Sequence, residues 1–310
     1  MDKYTTPLTH NVKKFIEHDK PGKIQSMDAE EKKSLEILDD NGYYIADSLA
    51  EPIYEEQYKF QYKLNSEGFR SQHFKTLDKN YTNILYSGCS MTFGYGLPEN
   101  YIWPTLLTSL IKEKLPIEIE SFNVASPGAS IHEIVRNCFI FFEKYGNPNY
   151  LFISVPDVNR SISFDSSDTK FKQIIPSKFK LRRKMSKDLI YALSHINTSN
   201  NWLLGADIMF MLELYCKSAG INLLWTSWER EQAEEWNSLK FTNYFKTEDY
   251  NVKTWYQPIN GEPKPEGLKE NLENLPYWGY ARDGSHPGVL WSKTVSKKFI
   301  DEIEKRWFIK

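Results

Sequence analysis

Three residues of the types that acyl-transfer chemistry requires stand near the two ends of one alternating stretch of the chain. Ser90 lies in ILYSGCSMTFGYG, and Asp283 and His286 lie three residues apart in ARDGSHPG. A serine hydroxyl is a weak nucleophile until an imidazole takes its proton, and the imidazole needs a carboxylate to fix its tautomer. A D-x-x-H turn brings the last two together locally, and Gly284 and Pro287 suit a tight turn. Each segment alone has a plainer explanation. A serine before a helix caps orphan N–H groups, and an aspartate in such a loop caps a turn. Order and position favour the chemistry: Ser90 follows a strand, and the Asp283/His286 pair follows the last strand and precedes the terminal helix.

An acyl-transfer centre also needs donors for the oxyanion. The backbone N–H of Ser90 sits where free N–H groups at a helix start favour developing negative charge. Gly128, in FNVASPGAS, ends a strand and precedes a helix, so its N–H is a second candidate. The alternative for that loop is a helix start capped by Ser126 with Pro127 in the first turn. Neither the G-x-S-x-G elbow nor a G-x-x-x-x-G-K-[ST] phosphate loop is present, because position 92 is Thr and no lysine follows the glycines.

The elements that must position these groups follow from hydrophobic spacing. Strands are expected at 83–86, 117–124, 150–155 and 221–225, and helices at 101–114, 131–145, 207–219 and 289–307. Strands alternating with helices of this length predict a mainly parallel sheet covered on both faces, an α/β fold. Residues 1–60 are polar and read as an N-terminal extension, with a short amphipathic helix at 29–38. Residues 61–310 form the main domain. Two stretches, about 161–200 and 229–280, break the rhythm and read as insertions on the loop side of the sheet. The first is basic, from Lys170 to Lys184. The second, with its flanks, carries Trp225, Trp228, Trp236, Trp255, Tyr256 and Trp278, read either as a satellite core or as a stacking platform for a sugar or acyl chain.

Composition bounds the rest. A net charge of −2 over 310 residues gives no basic excess for a nucleic-acid partner. The most apolar run, 202–214, is too short to span a membrane and contains Asp207. No secretory signal is seen. Three widely spaced cysteines, Cys89, Cys138 and Cys216, form neither a disulfide framework nor a metal-ligand pattern, which points to a cytoplasmic, reducing location, or to a virion if the gene is viral. The scattered histidines offer no metal motif, so no metal and no organic cofactor is expected.

Taken together, these segments resemble the SGNH hydrolases, also called GDSL-like lipases and esterases. Gly88-Cys89-Ser90 matches the first block, with Cys where Asp is common, and Thr92 to Gly96 extends the match in the style G-x-S-x-T-x-G-x-G. Asn123 to Gly128 resembles the second block, Asp283 to Pro287 the fifth, and Asn65-Ser66-Glu67-Gly68-Phe69-Arg70 an N-x-x-G-F-R segment that precedes the nucleophile in one subgroup. The match covers roughly residues 62–160 and 203–305. It implies a flavodoxin-like three-layer αβα sandwich, a Ser90–His286–Asp283 triad, and activity on an ester of a carbohydrate or lipid, often an acetyl ester. It also implies a third oxyanion donor, an asparagine after the third strand. In ISVPDVNR that is Asn159, although a gapless reading places Val158 in the donor column and a proline where glycine is usual. Arg70 is expected to pair with a carboxylate at the site's rim. Two rivals share the fold: an O-acyltransferase with the same triad, and a binding or structural protein that keeps the fold without activity.

Overall fold

The computed structural model describes residues 41–47, 60–115, 117–165, 170–174, 198–228, 230–246, 281 and 286–308. The expected helix at 29–38, Asp283, the basic run 175–184, and Trp255, Tyr256 and Trp278 all lie outside the described residues.

In chain order the elements are β1 (Tyr44–Asp47), β2 (Gln61–Leu64), β3 (Thr82–Gly88), α1 (Ser90–Phe93), α2 (Trp103–Lys114), β4 (Ile119–Asn123), α3 (Ile131–Tyr145), β5 (Tyr150–Val155), β6 (Ser161–Asp165), β7 (Lys170–Ile174), α4 (Thr198–Ala219), β8 (Asn222–Ser227), α5 (Arg230–Ser238) and α6 (Val289–Ile303). A π-helical turn, Glu304–Phe308, extends α6. β3, β4, β5 and β8 form a parallel sheet in the order β4-β3-β5-β8. Two antiparallel pairs, β1 with β2 and β6 with β7, stand apart from it.

The handedness of parallel crossovers dictates the layers. Right-handed connections place the helix between β3 and β4 on one face, and the return from β4 to β5 places its helix on the other. Side-chain alternation along β3 agrees. Tyr86 points to α2, where its hydroxyl meets Thr108 Oγ1 at 2.8 Å. Ser87 points the opposite way and donates to Ile134 O in α3 at 3.2 Å. α6 joins the α2 layer through Trp103 and Phe299, whose rings stack at 4.8 Å. On the other face Trp225 of β8 donates to Glu213 of α4 at 2.9 Å. The result is a three-layer αβα sandwich, as expected.

Local sequence explains the main helices. α2 carries Pro104 in its first turn and buries Trp103, Leu107 and Ile111 on one stripe. α3 buries Ile131, Ile134, Val135, Cys138, Phe141 and Phe142 and begins with a capping box between Ser130 and Glu133. The cap is Ser130, not Ser126, because the chain makes a further turn at Pro127 and Gly128 before the helix starts. β5 is apolar along nearly its whole length because helices cover both its faces. Each fully buried aliphatic or aromatic side chain contributes roughly 1.5–3 kcal/mol, so the sheet's register is set by this double-sided core.

Five elements depart from the expectation. β1 lies inside the stretch read as an extension and pairs with β2. The first insertion contains the β6–β7 pair, and α4 starts at Thr198 rather than 207. The second insertion opens with α5. Among the described residues no helix is long and apolar enough to cross a membrane.

Candidate active site

The carboxyl end of β3 lies where the direction of winding reverses, between β4 on one side and β5 on the other. In open parallel sheets that switch point is where ligands bind. Ser90 stands there. Gly88 makes the approach possible: a Cβ at this position would lie 2.0 Å from Thr92 Oγ1 and 2.9 Å from Ser154 O. Cys89 is extended, and Ser90 then begins the single turn α1. That turn closes at Gly94, in the left-handed region at φ +75°, where the N–H groups of Gly94 and Tyr95 both donate to Ser90 O at 3.0 Å. Ser90 is 7% exposed.

The turn is clamped from behind. Arg70, 2% exposed, donates from Nη1 to Phe93 O (3.2 Å) and Gly94 O (2.9 Å), and from Nη2 to Leu97 O (2.8 Å). Its partners are therefore main-chain carbonyls and not the carboxylate expected from sequence. Burial lowers its pKa, offset in part by Tyr62 and Glu99. The N-x-x-G-F-R segment explains how the side chain is delivered. Asn65 Oδ1 accepts from the N–H groups of Glu67 and Phe69 at 3.0 Å, and Asn65 N donates to Phe69 O at 2.8 Å. The resulting loop aims Arg70 inward. Tyr62 stacks on the guanidinium at 5.0 Å, and its hydroxyl accepts from Gly96 N at 2.7 Å.

The Gly128 loop docks beside β3. Val124 N donates to Tyr86 O at 2.9 Å, and Ser126 N donates to Gly88 O at 3.1 Å. Asn123 ties the two loops together, donating to Thr92 O at 3.3 Å and accepting from Ala125 N at 2.9 Å. Gly128 is buried in this loop and is not among the residues lining the cleft that contains Ser90.

His286 arrives from the other end of the chain, just before α6. Its carbonyl accepts from Ala281 N at 2.9 Å, and its ring lies against Tyr95 with centroids 4.9 Å apart. A shallow cleft is lined by Ser90, Gly94 and Tyr95 from the turn after β3 and by His286, Pro287 and Trp291 from the segment that enters α6. Ser90 and His286, 196 positions apart in the chain, thus share one cavity.

Asn159 is placed differently. Its Nδ2 donates to Asp157 Oδ1 at 3.1 Å, and its Oδ1 accepts from Asn201 in α4 at 3.2 Å. It is not among the residues lining the cleft. Cys89 is fully buried and accepts from Trp228 Nε1 at 3.3 Å. Burial also raises the Cys138 thiol to about 12 and the Cys216 thiol further, so neither is a ready nucleophile. Trp225 and Trp236 are core residues, packed edge to face at 5.2 Å. Among the described residues no group of three or more His, Cys, Asp and Glu side chains is arranged to hold a metal ion.

Arg160, over Trp228, was not singled out by the sequence, and Trp228, against Cys89, was expected only as part of the tryptophan-rich second insertion and its flanks. Both follow the carboxyl ends of sheet strands, which is the positional signal for a ligand crevice.

No protein-family model matches the chain, and no curated protein matches it. Solved structures do. The psychrotrophic esterase EstA from Pseudoalteromonas sp. aligns over 72% of this chain and 97% of its own, at 12% identity and a TM-score of 0.40. A lipolytic protein of the G-D-S-L family from Desulfitobacterium hafniense aligns over 70% and 98%, at 14% identity and a TM-score of 0.38. AlinE4, an SGNH-hydrolase family esterase, aligns over 64% and 94%, at 15% identity and a TM-score of 0.34.

Proposed function

We propose that the protein is a serine esterase of the SGNH type that cleaves a short acyl ester of a carbohydrate or lipid. The observation that carries this is the cleft shared by Ser90 and His286 at the switch point of the sheet. Ser90 Oγ attacks the acyl carbonyl and passes its proton to His286. The tetrahedral intermediate then expels the alcohol, which takes that proton, and leaves an acyl-serine. Water, deprotonated by His286, releases the acid and restores Ser90. Asp283 orients the imidazole, a role carried by the family resemblance, since this residue lies outside the described residues.

The backbone N–H groups of Ser90 and Gly128 hold the oxyanion, and one such donor is typically worth about 3–4 kcal/mol in the transition state. Asn159 must exchange its bond to Asp157 to join them.

The test is turnover of 4-nitrophenyl acetate by the parent and by Ser90→Ala, with circular dichroism to verify folding. The variant is expected to be inactive and folded, and only the parent should react with a fluorophosphonate. Equal rates would overturn the assignment.

A further inference from the structure

Among the described residues, the loop after β5 leaves a cation near the proposed nucleophile without a counter-ion. Arg160 ends that loop, and its backbone N–H donates to Asp157 O at 3.1 Å. The loop is pinned to α5: Val158 N donates to Gln232 Oε1 at 3.0 Å, and Gln232 Nε2 donates to Asp157 Oδ1 at 2.8 Å. From this fixed base the Arg160 guanidinium carbon lies 5.2 Å from the centroid of the Trp228 ring. Trp228 in turn donates to Sγ of Cys89, the residue bonded to Ser90. Two contacts therefore join the guanidinium to the neighbour of the nucleophile.

Arg160 Nη1 is buried and, among the described residues, has no hydrogen-bond partner. The nearest acid in the loop does not answer it: Asp157 Oδ1 already accepts from Asn159 N, Asn159 Nδ2 and Gln232 Nε2. A buried guanidinium donor left unpaired costs stability. Stacking on an indole holds the guanidinium plane while leaving its N–H edge free for a planar oxyanion. An arginine held this way, joined through Trp228 to the residue before Ser90 and, among the described residues, without a carboxylate, is built to receive one from outside.

We propose that Arg160, stacked over Trp228, is an anion subsite that binds a carboxylate, or another oxyanion of like charge, carried by the ester substrate. This deepens the esterase assignment and rests on it. It narrows the substrate class to acidic esters, with the charge on either the acyl or the alcohol portion.

The experiment compares the parent, Arg160→Gln and Arg160→Lys on two acidic and two neutral esters. The acidic pair is 4-nitrophenyl hydrogen glutarate, charged on the acyl side, and 4-acetoxybenzoate, charged on the alcohol side. The neutral pair is 4-nitrophenyl valerate and phenyl acetate. Because hydrogen bonds to charged groups are strong, Arg160→Gln should raise KM about tenfold for one acidic ester. Which ester responds locates the charge. KM for the neutral pair should stay within about twofold of the parent, and Arg160→Lys should recover part of the loss. An equal effect on acidic and neutral esters, or none on either, overturns the subsite. If the parent hydrolyses no ester, the esterase assignment fails, and calorimetry with glutarate then judges the subsite alone. Binding by the parent and none by Arg160→Gln supports it, and no binding by the parent overturns it.

Discussion

Arg70 Nη1 donates to the Gly94 carbonyl at 2.9 Å, and Gly94 is the residue that closes the single helical turn begun by Ser90. The buried guanidinium therefore works as a template for the Ser90 turn, since its forked donors also reach Phe93 O and Leu97 O. A charge is costly to bury, and burial does lower the pKa of Arg70. Hydrogen bonds to three main-chain carbonyls, of which Gly94 O also accepts from Leu97 N at 3.1 Å, offset that cost. The consequence is that Arg70 positions Ser90 without touching the cleft.

Arg70→Met should lose several kcal/mol of stability, at roughly 1 kcal/mol net per lost bond with more for charge-assisted ones. Turnover of a short-chain ester should fall in kcat while KM changes little, because geometry and not binding is lost. Arg70→Lys keeps the charge but cannot fork between Gly94 and Leu97, so it should fall between the two. Denaturant unfolding together with steady-state kinetics checks both. A parental kcat in Arg70→Met would remove the positioning role.

Gly94→Ala should be more damaging than its size suggests. Gly94 sits at φ +75°, and a Cβ there would lie 1.9 Å from Ile102 Cγ2. The left-handed backbone costs an L-residue roughly 1–2 kcal/mol, and overpacking adds roughly 1–3 kcal/mol. Unfolding in urea should show a lower midpoint with an unchanged slope. A variant as stable as the parent would mean that the turn can relax around Ile102.

Sequence reading succeeded where one periodicity dominates. The limits of α3 and β5 were legible because α3 repeats its apolar positions at three and four, and β5 is an unbroken apolar run. α4 begins at Thr198, earlier than expected, because its first turn, TSNN, has no apolar period. β1 has no signal of its own, since what makes Tyr44–Asp47 a strand is its partner Gln61–Leu64. At the site, Ser90 and His286, paired in the sequence by residue type and position, line the same cleft. The partners of Arg70 were not legible, because carbonyl acceptors leave no residue-type signature. Arg160 and Trp228 meet only in the fold, brought together by the parallel pairing of β5 and β8.

Ser130→Ala tests whether the start of α3 supports the Gly128 loop. Ser130 Oγ accepts from Glu133 N at 3.3 Å, and Glu133 Oε2 accepts from Ser130 N at 2.9 Å. Both residues are buried. Removing the cap should cost about 1–2 kcal/mol. It should also speed amide hydrogen exchange over the first turn of α3 and the preceding loop. Loss of stability without faster exchange there would show that the loop is held from β3 alone.

Glu67→Gln gives a pH signature of the loop that delivers Arg70. Tyr145 donates its hydroxyl to Glu67 Oε1, and Lys144 Nζ lies 3.8 Å from Oε2. Partial burial raises the Glu67 pKa above the ordinary 4.5, against the opposing pull of Lys144. A carboxyl with a raised folded-state pKa binds its proton more tightly in the folded chain than in the unfolded one. Its contribution is therefore most favourable below the unfolded value and is lost as pH rises through the folded value. Glutamine has no such titration and keeps an oxygen to accept from Tyr145. Stability of the variant relative to the parent should thus improve between pH 4 and pH 7, measured by urea unfolding at each pH. A difference that stays constant, or one that shrinks toward pH 7, would show that the Lys144 pair outweighs burial at this position.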